Sequence, residues 1–323
     1  MNGKKFIALL VALVCLIGCF GCVAQKPGET TESTEQKVSQ AAIDALDGKK
    51  VLFVGNSYSY YGRCVMRHGW KPFEQEPRSN DKGYFYQLCK TQGAEVSVTN
   101  WTFGNHSLWE SLGSNCTQDN CDGGKDHLSY LTDRYFDYVV LTPYERNHDG
   151  DLNEYLKPYL DIFREVNPNV KFLLCIPHMT YDQNWTWLPY LKDLDQNTIT
   201  LCNWGRMLND IVKGNVQVPG AQQQYIRPTF VVSVSEKDGY HQNLLAGYIT
   251  AAMVYCAITG DSAVDLPYDF CDDSTLHPDF NLDAYKKDKY TYDPFTNFVE
   301  VFRSPADMNG LQQLIDQYIK NPL

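Results

Sequence analysis

Residues 50–59 read KVLFVGNSYS, a short apolar run that ends in glycine, asparagine and serine. The run from Lys50 to Val54 is almost continuously hydrophobic, which is typical of a strand buried on both faces of a parallel sheet. The turn Gly55-Asn56-Ser57 follows it directly. Because ligands bind at the carboxyl ends of the strands in open parallel sheets, Ser57 is expected at the edge where chemistry occurs.

Four further apolar runs are predicted to be strands: Ala94 to Thr99, Tyr138 to Thr142, Val170 to Ile176 and Thr229 to Val234. Helices are predicted at Tyr84 to Thr91, Leu152 to Glu165, Ile199 to Val212, Leu244 to Thr259 and Ala306 to Tyr318. Short strands that alternate with amphipathic helices predict an α/β fold, in which helices cover both faces of a parallel central sheet. We expect one such domain at residues 46–323, with a polar, irregular tail packed onto it.

The amino-terminal residues predict export from the cytoplasm. Two lysines precede an apolar run from Phe6 to Gly18, the pattern of a secretory signal that occupies residues 1–18. Residues 16–19 read LIGC and resemble a bacterial lipobox, which implies cleavage before Cys19 and lipidation of that cysteine. Two alternatives stay open: the same role for Cys22, or an uncleaved anchor helix over residues 6–24. The Cys19 lipoprotein and the anchor helix both tether the chain outside the cytoplasmic membrane.

The segment that follows, residues 19–45, is predicted to be a disordered stalk. It is rich in Thr, Glu and Gln and holds too few apolar residues to bury a core of its own. An exterior location permits disulfides, and Cys116 and Cys121 enclose a short polar loop, which makes them the one specific pairing we predict. Among the eight cysteines that follow Cys22, no Cys-x-x-Cys pair or tight His/Cys cluster occurs, so no metal site is expected.

Composition narrows the function classes. The chain has 323 residues, of which 43% are hydrophobic, so it can bury a large core. Its 28 Lys and Arg stand against 39 Asp and Glu, a formal net charge of −11. A nucleic-acid-binding role is disfavoured, because no basic surplus exists to neutralise phosphates.

A second polar cluster follows the last predicted strand, where residues 235–243 read SEKDGYHQN. Asp238 and His241 are three residues apart, so the carboxylate can orient the imidazole and stabilise its protonated form. The other ring nitrogen can then take a proton from a hydroxyl. Helix capping explains each motif separately, since Ser and Asp commonly start helices. Together the two motifs indicate more, because both are expected at one edge of the sheet.

With these two blocks, the sequence resembles the SGNH (GDSL-like) hydrolase superfamily, in the branch whose first block reads Gly-Asn-Ser. The resemblance covers roughly residues 50–260 in order and spacing, and its end blocks are the specific ones. It implies a flavodoxin-like three-layer α/β/α sandwich. It also implies that Ser57 is the nucleophile, that His241 is the general base and acid, and that Asp238 orients His241.

The middle blocks match this superfamily less closely. By the resemblance, the oxyanion hole uses the N–H groups of Ser57 and of Gly104, which lies after the second predicted strand. The superfamily also supplies an Asn side chain from a Gly-x-Asn block that this sequence lacks. Asn105 and Asn147 are the available substitutes, and we favour Asn105. The loss of one oxyanion donor typically lowers turnover ~10²–10³-fold.

Aromatic loops suggest what the site binds. Trp185 and Trp187 follow His178 in a loop expected at the same sheet edge, and such rings suit stacking on sugars or covering an acyl chain. Packing within the loop is the alternative for any one of these side chains. The Asp-rich tail near residues 269–279 contains oxygen ligands for calcium but matches no EF-hand spacing, which favours a solvated face.

The first hypothesis is therefore a membrane-tethered, extracytoplasmic serine esterase without a cofactor, which acts on small acyl esters such as acetyl groups on a glycan. An acyltransferase would use the same residues. The second hypothesis is a glycan-binding lipoprotein on an inactive SGNH scaffold, motivated by the missing Asn block. The oligomeric state is not predicted.

Overall fold

The computed structural model describes residues 38–65, 78–79, 82–103, 105–112, 131, 134–144, 150–221, 225, 230–232, 241–271 and 305–323. Several sequence predictions lie outside these residues: the signal at 1–18, lipidation of Cys19, the Cys116–Cys121 pair and most of the Asp-rich tail. In the described ranges no helix is long and apolar enough to cross a membrane.

The secondary structure alternates between strands and helices along the chain. The strands are β1 Lys50–Gly55, β2 Arg78–Ser79, β3 Ser97–Thr102, β4 Tyr138–Leu141, β5 Lys171–Cys175, β6 Ile199–Cys202, β7 Val231–Val232 and β8 His241–Gln242. The helices are α1 Gln40–Leu46, α2 Ser57–Tyr60, α3 Tyr84–Thr91, α4 Leu108–Leu112, α5 Leu152–Arg164, α6 His178–Asp182, α7 Trp204–Val212, α8 Leu244–Thr259 and α9 Pro305–Lys320. Short 3₁₀ turns occupy Tyr61–Arg63, Leu188–Asp193 and Asp269–Cys271.

The main sheet has the strand order β2-β3-β1-β4-β5-β6. Strands β3, β1, β4, β5 and β6 are parallel, and the two-residue β2 pairs antiparallel with β3. This parallel order is that of the flavodoxin-like doubly wound fold, whose ligand crevice lies where the chain reverses its winding direction. Here that reversal falls between β1 and β4, beside the Ser57 turn. The predicted α/β sandwich with a parallel central sheet is confirmed.

Each central strand alternates its buried side chains between two cores. In β1, Val51 and Phe53 pack into one hydrophobic cluster, whereas Leu52 and Val54 pack into the other. The first cluster lies against α1, α3, α7, α8 and α9, and the second against α4, α5 and α6. Because successive side chains in a strand point to opposite faces, helices on both sides of the sheet are required to bury this run.

The predicted helix Ile199–Val212 is wrong in its first part. Residues 199–202 form the edge strand β6, paired in parallel with β5, and α7 begins only at Trp204. The Asn203 side chain fixes where the helix begins, because its Oδ1 accepts a hydrogen bond from Arg206 N and caps α7 at its first turn. A short apolar run does not distinguish strand from helix by periodicity alone.

The predicted strand Thr229–Val234 is also corrected. Of the residues in this range that the structure describes, Val231 and Val232 form a strand. This strand pairs antiparallel with His241–Gln242 in a separate two-stranded sheet. Among the described residues, the main parallel sheet therefore ends at β6. This small ribbon instead positions the chain at the start of α8.

The domain begins earlier than the predicted boundary at residue 46. Helix α1 spans Gln40–Leu46, its first turn is capped by Ser39, and Ala42 and Leu46 are completely buried. A helix with core side chains is not part of a solvated stalk, so the stalk prediction is wrong for residues 40–45.

Candidate active site

The turn after β1 brings Ser57 to the edge of the sheet. Gly55 ends the strand, and a Cβ on it would lie 2.5 Å from Ser59 Oγ and 2.8 Å from Thr142 Cβ, so only glycine fits. Asn56 is the N-cap of α2, and its Oδ1 accepts a hydrogen bond from Tyr58 N at 3.1 Å. Ser57 is the first helical residue. The alternative that Ser57 serves as the helix cap is therefore wrong, because Asn56 has that role.

Asn56 also ties together three segments at this edge. Its Nδ2 donates hydrogen bonds to the carbonyl oxygens of His106, at 3.2 Å, and Thr142, at 3.1 Å. Asn56 is completely buried. The backbone after β3 and the backbone after β4 are thus both anchored to the residue that precedes Ser57, which holds the three strand ends in one rigid arrangement.

Replacing Asn56 with aspartate is expected to destabilise the fold by about 2–3 kcal/mol at neutral pH, because a buried carboxylate would face two carbonyl oxygens without a donor. Urea denaturation monitored by circular dichroism measures this loss. The loss should shrink as the pH falls, since the folded state of this variant favours the protonated carboxyl and so binds more protons than the unfolded chain. Equal stability of the variant and the parent at neutral pH would contradict the bonding scheme.

His241 lies against the same turn. Its ring stacks on Tyr61, with centroids 4.1 Å apart, and on Tyr58, at 5.7 Å. His241 is half-buried and belongs to β8. The following helix, α8, is capped by Asn243 rather than by Asp238, because Asn243 Oδ1 accepts a hydrogen bond from Ala246 N. Two side chains that follow Ser57 in the sequence therefore contact His241.

The remaining residues of the predicted triad and oxyanion hole are only partly described. Asp238, Gly104 and Asn147 lie outside the described residues, so their roles stay predictions. Asn105 is exposed and has a φ of 60°, the left-handed conformation that Asn tolerates better than most residues. It precedes His106, whose carbonyl binds Asn56, so Asn105 is next to the Ser57 turn.

The predicted substrate contacts are buried. Trp185 and Trp187 are 3% and 1% exposed and belong to the second hydrophobic core, where Trp185 packs edge-on against Tyr144. Buried rings present no face to a sugar, so this structure favours packing over the predicted stacking. His178 is also buried, between Tyr58 and Trp204, with centroids 6.0 and 5.5 Å away. His178 meets Tyr58 edge-on, whereas His241 stacks on it.

One aromatic residue that sequence reasoning missed is Trp109, which is 56% exposed. It lies on α4, where Leu108 and Leu112 face the core and turn residue 109 outward. Ser107 and Glu110 cap this helix reciprocally through each other's backbone N–H groups. The i, i+4 apolar spacing and this capping box were visible in the sequence and could have indicated an exposed, rigidly mounted tryptophan.

The described cysteines do not offer a competing nucleophile. The six described cysteines are buried, and Cys64, Cys89, Cys175, Cys202 and Cys256 are free. A hydrogen bond with Cys202, together with burial, raises the pKa of Cys175, and burial raises the pKa of Cys64, Cys89 and Cys256. Such thiols stay protonated and unreactive. Within the described ranges, no group of three or more His, Cys, Asp or Glu side chains could hold a metal ion.

Comparison with known proteins gives only distant likenesses. No family model and no curated protein matches the chain. Among solved structures, the acetylxylan esterase Axe2 from Geobacillus stearothermophilus aligns with 14% identity over 68% of this chain and 97% of that chain, with a TM-score of 0.43. A family two carbohydrate esterase from Clostridium thermocellum aligns with 12% identity over 67% of this chain and 65% of that chain, with a TM-score of 0.32. A protein described as a GDSL-like lipase, from Bacteroides ovatus, aligns with 12% identity over 63% of this chain and 93% of that chain, with a TM-score of 0.29.

Proposed function

We propose that this chain is a serine esterase in which Ser57 is the nucleophile, His241 the general base and acid, and Asp238 the residue that orients His241. The observation that supports it most is the stack of His241 on Tyr61 and Tyr58, the residues that follow Ser57. Two segments far apart in sequence thus bring a hydroxyl and an imidazole to the one sheet edge where flavodoxin-like folds bind ligands. Packing alone does not require a serine hydroxyl or an imidazole at this edge of the sheet.

The proposed reaction proceeds through an acyl-enzyme. His241 takes the proton of Ser57 as Oγ attacks the ester carbonyl, and the backbone N–H groups of Ser57 and Gly104, with Asn105, receive the developing oxyanion. The imidazolium then gives its proton to the departing alcohol oxygen. Water, activated by His241, attacks the acyl-enzyme and releases the acid, which regenerates Ser57. An alcohol acceptor in place of water would make the same chain an acyltransferase.

The substrate we propose is an acyl ester carried by a glycan, reached outside the cytoplasmic membrane by a chain tethered through Cys19. Half-buried Phe103 and Tyr144 follow β3 and β4 at the proposed site, and Trp109 presents an open ring one helical turn beyond His106. Exposed aromatic rings on a rigid mount suit stacking on pyranose faces. Acetyl is the acyl group we propose, by the resemblance stated above.

Replacing Trp109 with alanine is expected to raise the KM for an acetylated oligosaccharide about tenfold and to leave kcat nearly unchanged. The rise in KM corresponds to the loss of ~1.4 kcal/mol of stacking free energy. Acetate release from acetylated xylo-oligosaccharides measures both constants. Tyr135 is the matched control, because it is 45% exposed but lies beside the start of β4, at the opposite end of the sheet. A tenfold rise in KM for Tyr135→Ala as well would contradict the proposed stacking role of Trp109.

A fluorophosphonate probe tests the proposed function directly. The full chain, purified from membranes in detergent, is treated with the probe, and peptide mass spectrometry locates the adduct. Labelling at Ser57 that disappears in His241→Ala supports an activated nucleophile. The absence of labelling in the folded chain would favour the glycan-binding hypothesis instead.

A further inference from the structure

Tyr61 stacks on two rings, four residues after the proposed nucleophile. One ring is His241, at 4.1 Å with an interplanar angle of 24°, and the other is Tyr60, at 5.1 Å with an angle of 28°. Tyr60 is 6% exposed, and burial with the neighbouring Tyr61 phenol raises its pKa, so it stays neutral. The imidazole of His241 therefore rests on an aromatic support that is itself anchored in the protein.

The backbone of Tyr61 is fastened to the residue after His241. Gln242 Nε2 donates a 2.7 Å hydrogen bond to the Tyr61 carbonyl oxygen. Gln242 is completely buried, and its Oε1 has no hydrogen-bond partner in the described part of the chain. A buried amide that satisfies only its donor side costs stability relative to an apolar side chain. A functional role of the bond to Tyr61 accounts for a buried amide at this position.

A contact between two glycines closes the same junction. Gly62 has a φ of 71°, and a Cβ on it would lie 2.3 Å from the Asn243 carbonyl oxygen. A Cβ on Gly247, in the first turn of α8, would lie 1.8 Å from the Gly62 carbonyl oxygen. The 3₁₀ turn and the helix thus meet backbone to backbone. This contact holds the Tyr61 and His241 segments at a constant separation.

We propose that Tyr61 and Gln242 are positioning residues for His241, a role that rests on the proposed function. Tyr61 limits the tilt of the imidazole by contact with its face, and Gln242 keeps Tyr61 in register with the His241 segment. Asp238 would orient the ring in its plane, whereas Tyr61 restrains it out of the plane. A displacement of a catalytic group by about 1 Å can cost ~10²-fold in rate, which sets the scale of the effect.

Three variants test this role by steady-state kinetics on p-nitrophenyl acetate. Tyr61→Leu and Gln242→Met should lower kcat about 10–100-fold with KM within about twofold, because the base is displaced while the ester site remains. Tyr61→Phe should recover most of the lost kcat, because it restores the ring face. Tyr135→Leu and Gln87→Met are matched controls, since Gln87 also donates to a backbone carbonyl, that of Lys82, through an exposed hydrogen bond that does not involve Tyr61 or His241.

A second measurement separates this inference from the proposed function. Diethyl pyrocarbonate modifies accessible histidines, and mass spectrometry gives the rate at His241 without any need for esterase activity. We expect a rise of severalfold in Tyr61→Leu and Gln242→Met, and none in Tyr61→Phe or the controls. That result in a chain that fails to label with fluorophosphonate would support the positioning contacts and reject the esterase. An active chain in which both variants keep parental kcat and parental His241 reactivity would overturn the inference.

Discussion

Replacing Ser57 with alanine is expected to lower kcat for acetyl-ester hydrolysis by ~10⁴-fold or more, because the variant has no alkoxide to form the acyl-enzyme. The melting temperature should stay within a few degrees of the parent. The physical reason is that Asn56, and not Ser57, caps α2 and binds the neighbouring backbone segments. Ester hydrolysis followed by acetate release, and differential scanning calorimetry, measure the two quantities.

Ser59→Ala is the matched control for this experiment. Ser59 lies two residues further along the same short helix, and its buried hydroxyl has no hydrogen-bond partner in the described residues. Its removal should leave turnover close to the parental value, and stability equal or slightly higher, since a buried unpaired polar group is lost. If Ser57→Ala retained parental turnover, the assignment of the nucleophile would be wrong. Equal losses in both variants would point to a distorted turn.

Replacing Gly247 with alanine is expected to destabilise the fold by about 3 kcal/mol or more, among the largest effects of a single methyl group. The new Cβ would lie 1.8 Å from the Gly62 carbonyl oxygen, a backbone atom that cannot rotate away. Either α8 or the 3₁₀ turn at Tyr61–Arg63 must move. The midpoint of urea denaturation, with its slope, measures the loss.

Gly214→Ala provides the comparison for this change. Gly214 has a φ of 75°, and a Cβ there would meet nothing within 4 Å, so only backbone strain of about 1 kcal/mol is expected. The difference between the two variants isolates the collision from the general cost of replacing glycine. Because the collision separates the His241 and Tyr61 segments, any folded Gly247→Ala protein should also lose turnover. Equal denaturation midpoints for the two variants would contradict the close contact between Gly62 and Gly247.

Local patterns in the sequence were sufficient for most of the architecture. The strand from Lys50 and the helix Leu244–Thr259 were identified from apolar runs and their flanking polar residues, because side-chain periodicity and capping depend on residues a few positions apart. The same information singled out Ser57 and His241, since each follows an apolar run at a predicted strand end. The parallel sheet follows from the alternation of these elements.

Contacts between distant segments determined the rest. Asn56, rather than Ser57, caps α2 because its amide also reaches two carbonyl oxygens, at His106 and Thr142. Residues 199–202 are a strand because β5 offers them a parallel partner. Trp185 is buried and Trp109 exposed because of what packs over each ring, which composition does not encode.

The sequence by itself therefore specified the α/β class and the two side chains of the candidate site, through short-range periodicity and turn chemistry. The contact between the segments that carry them depends on Gly62 and Gly247, which are far apart in the chain and meet only in the folded structure. The stacking of His241 on Tyr61 has the same origin. Such contacts arise from the packing of α8 against the turn after β1, and packing geometry is a property of the folded chain as a whole.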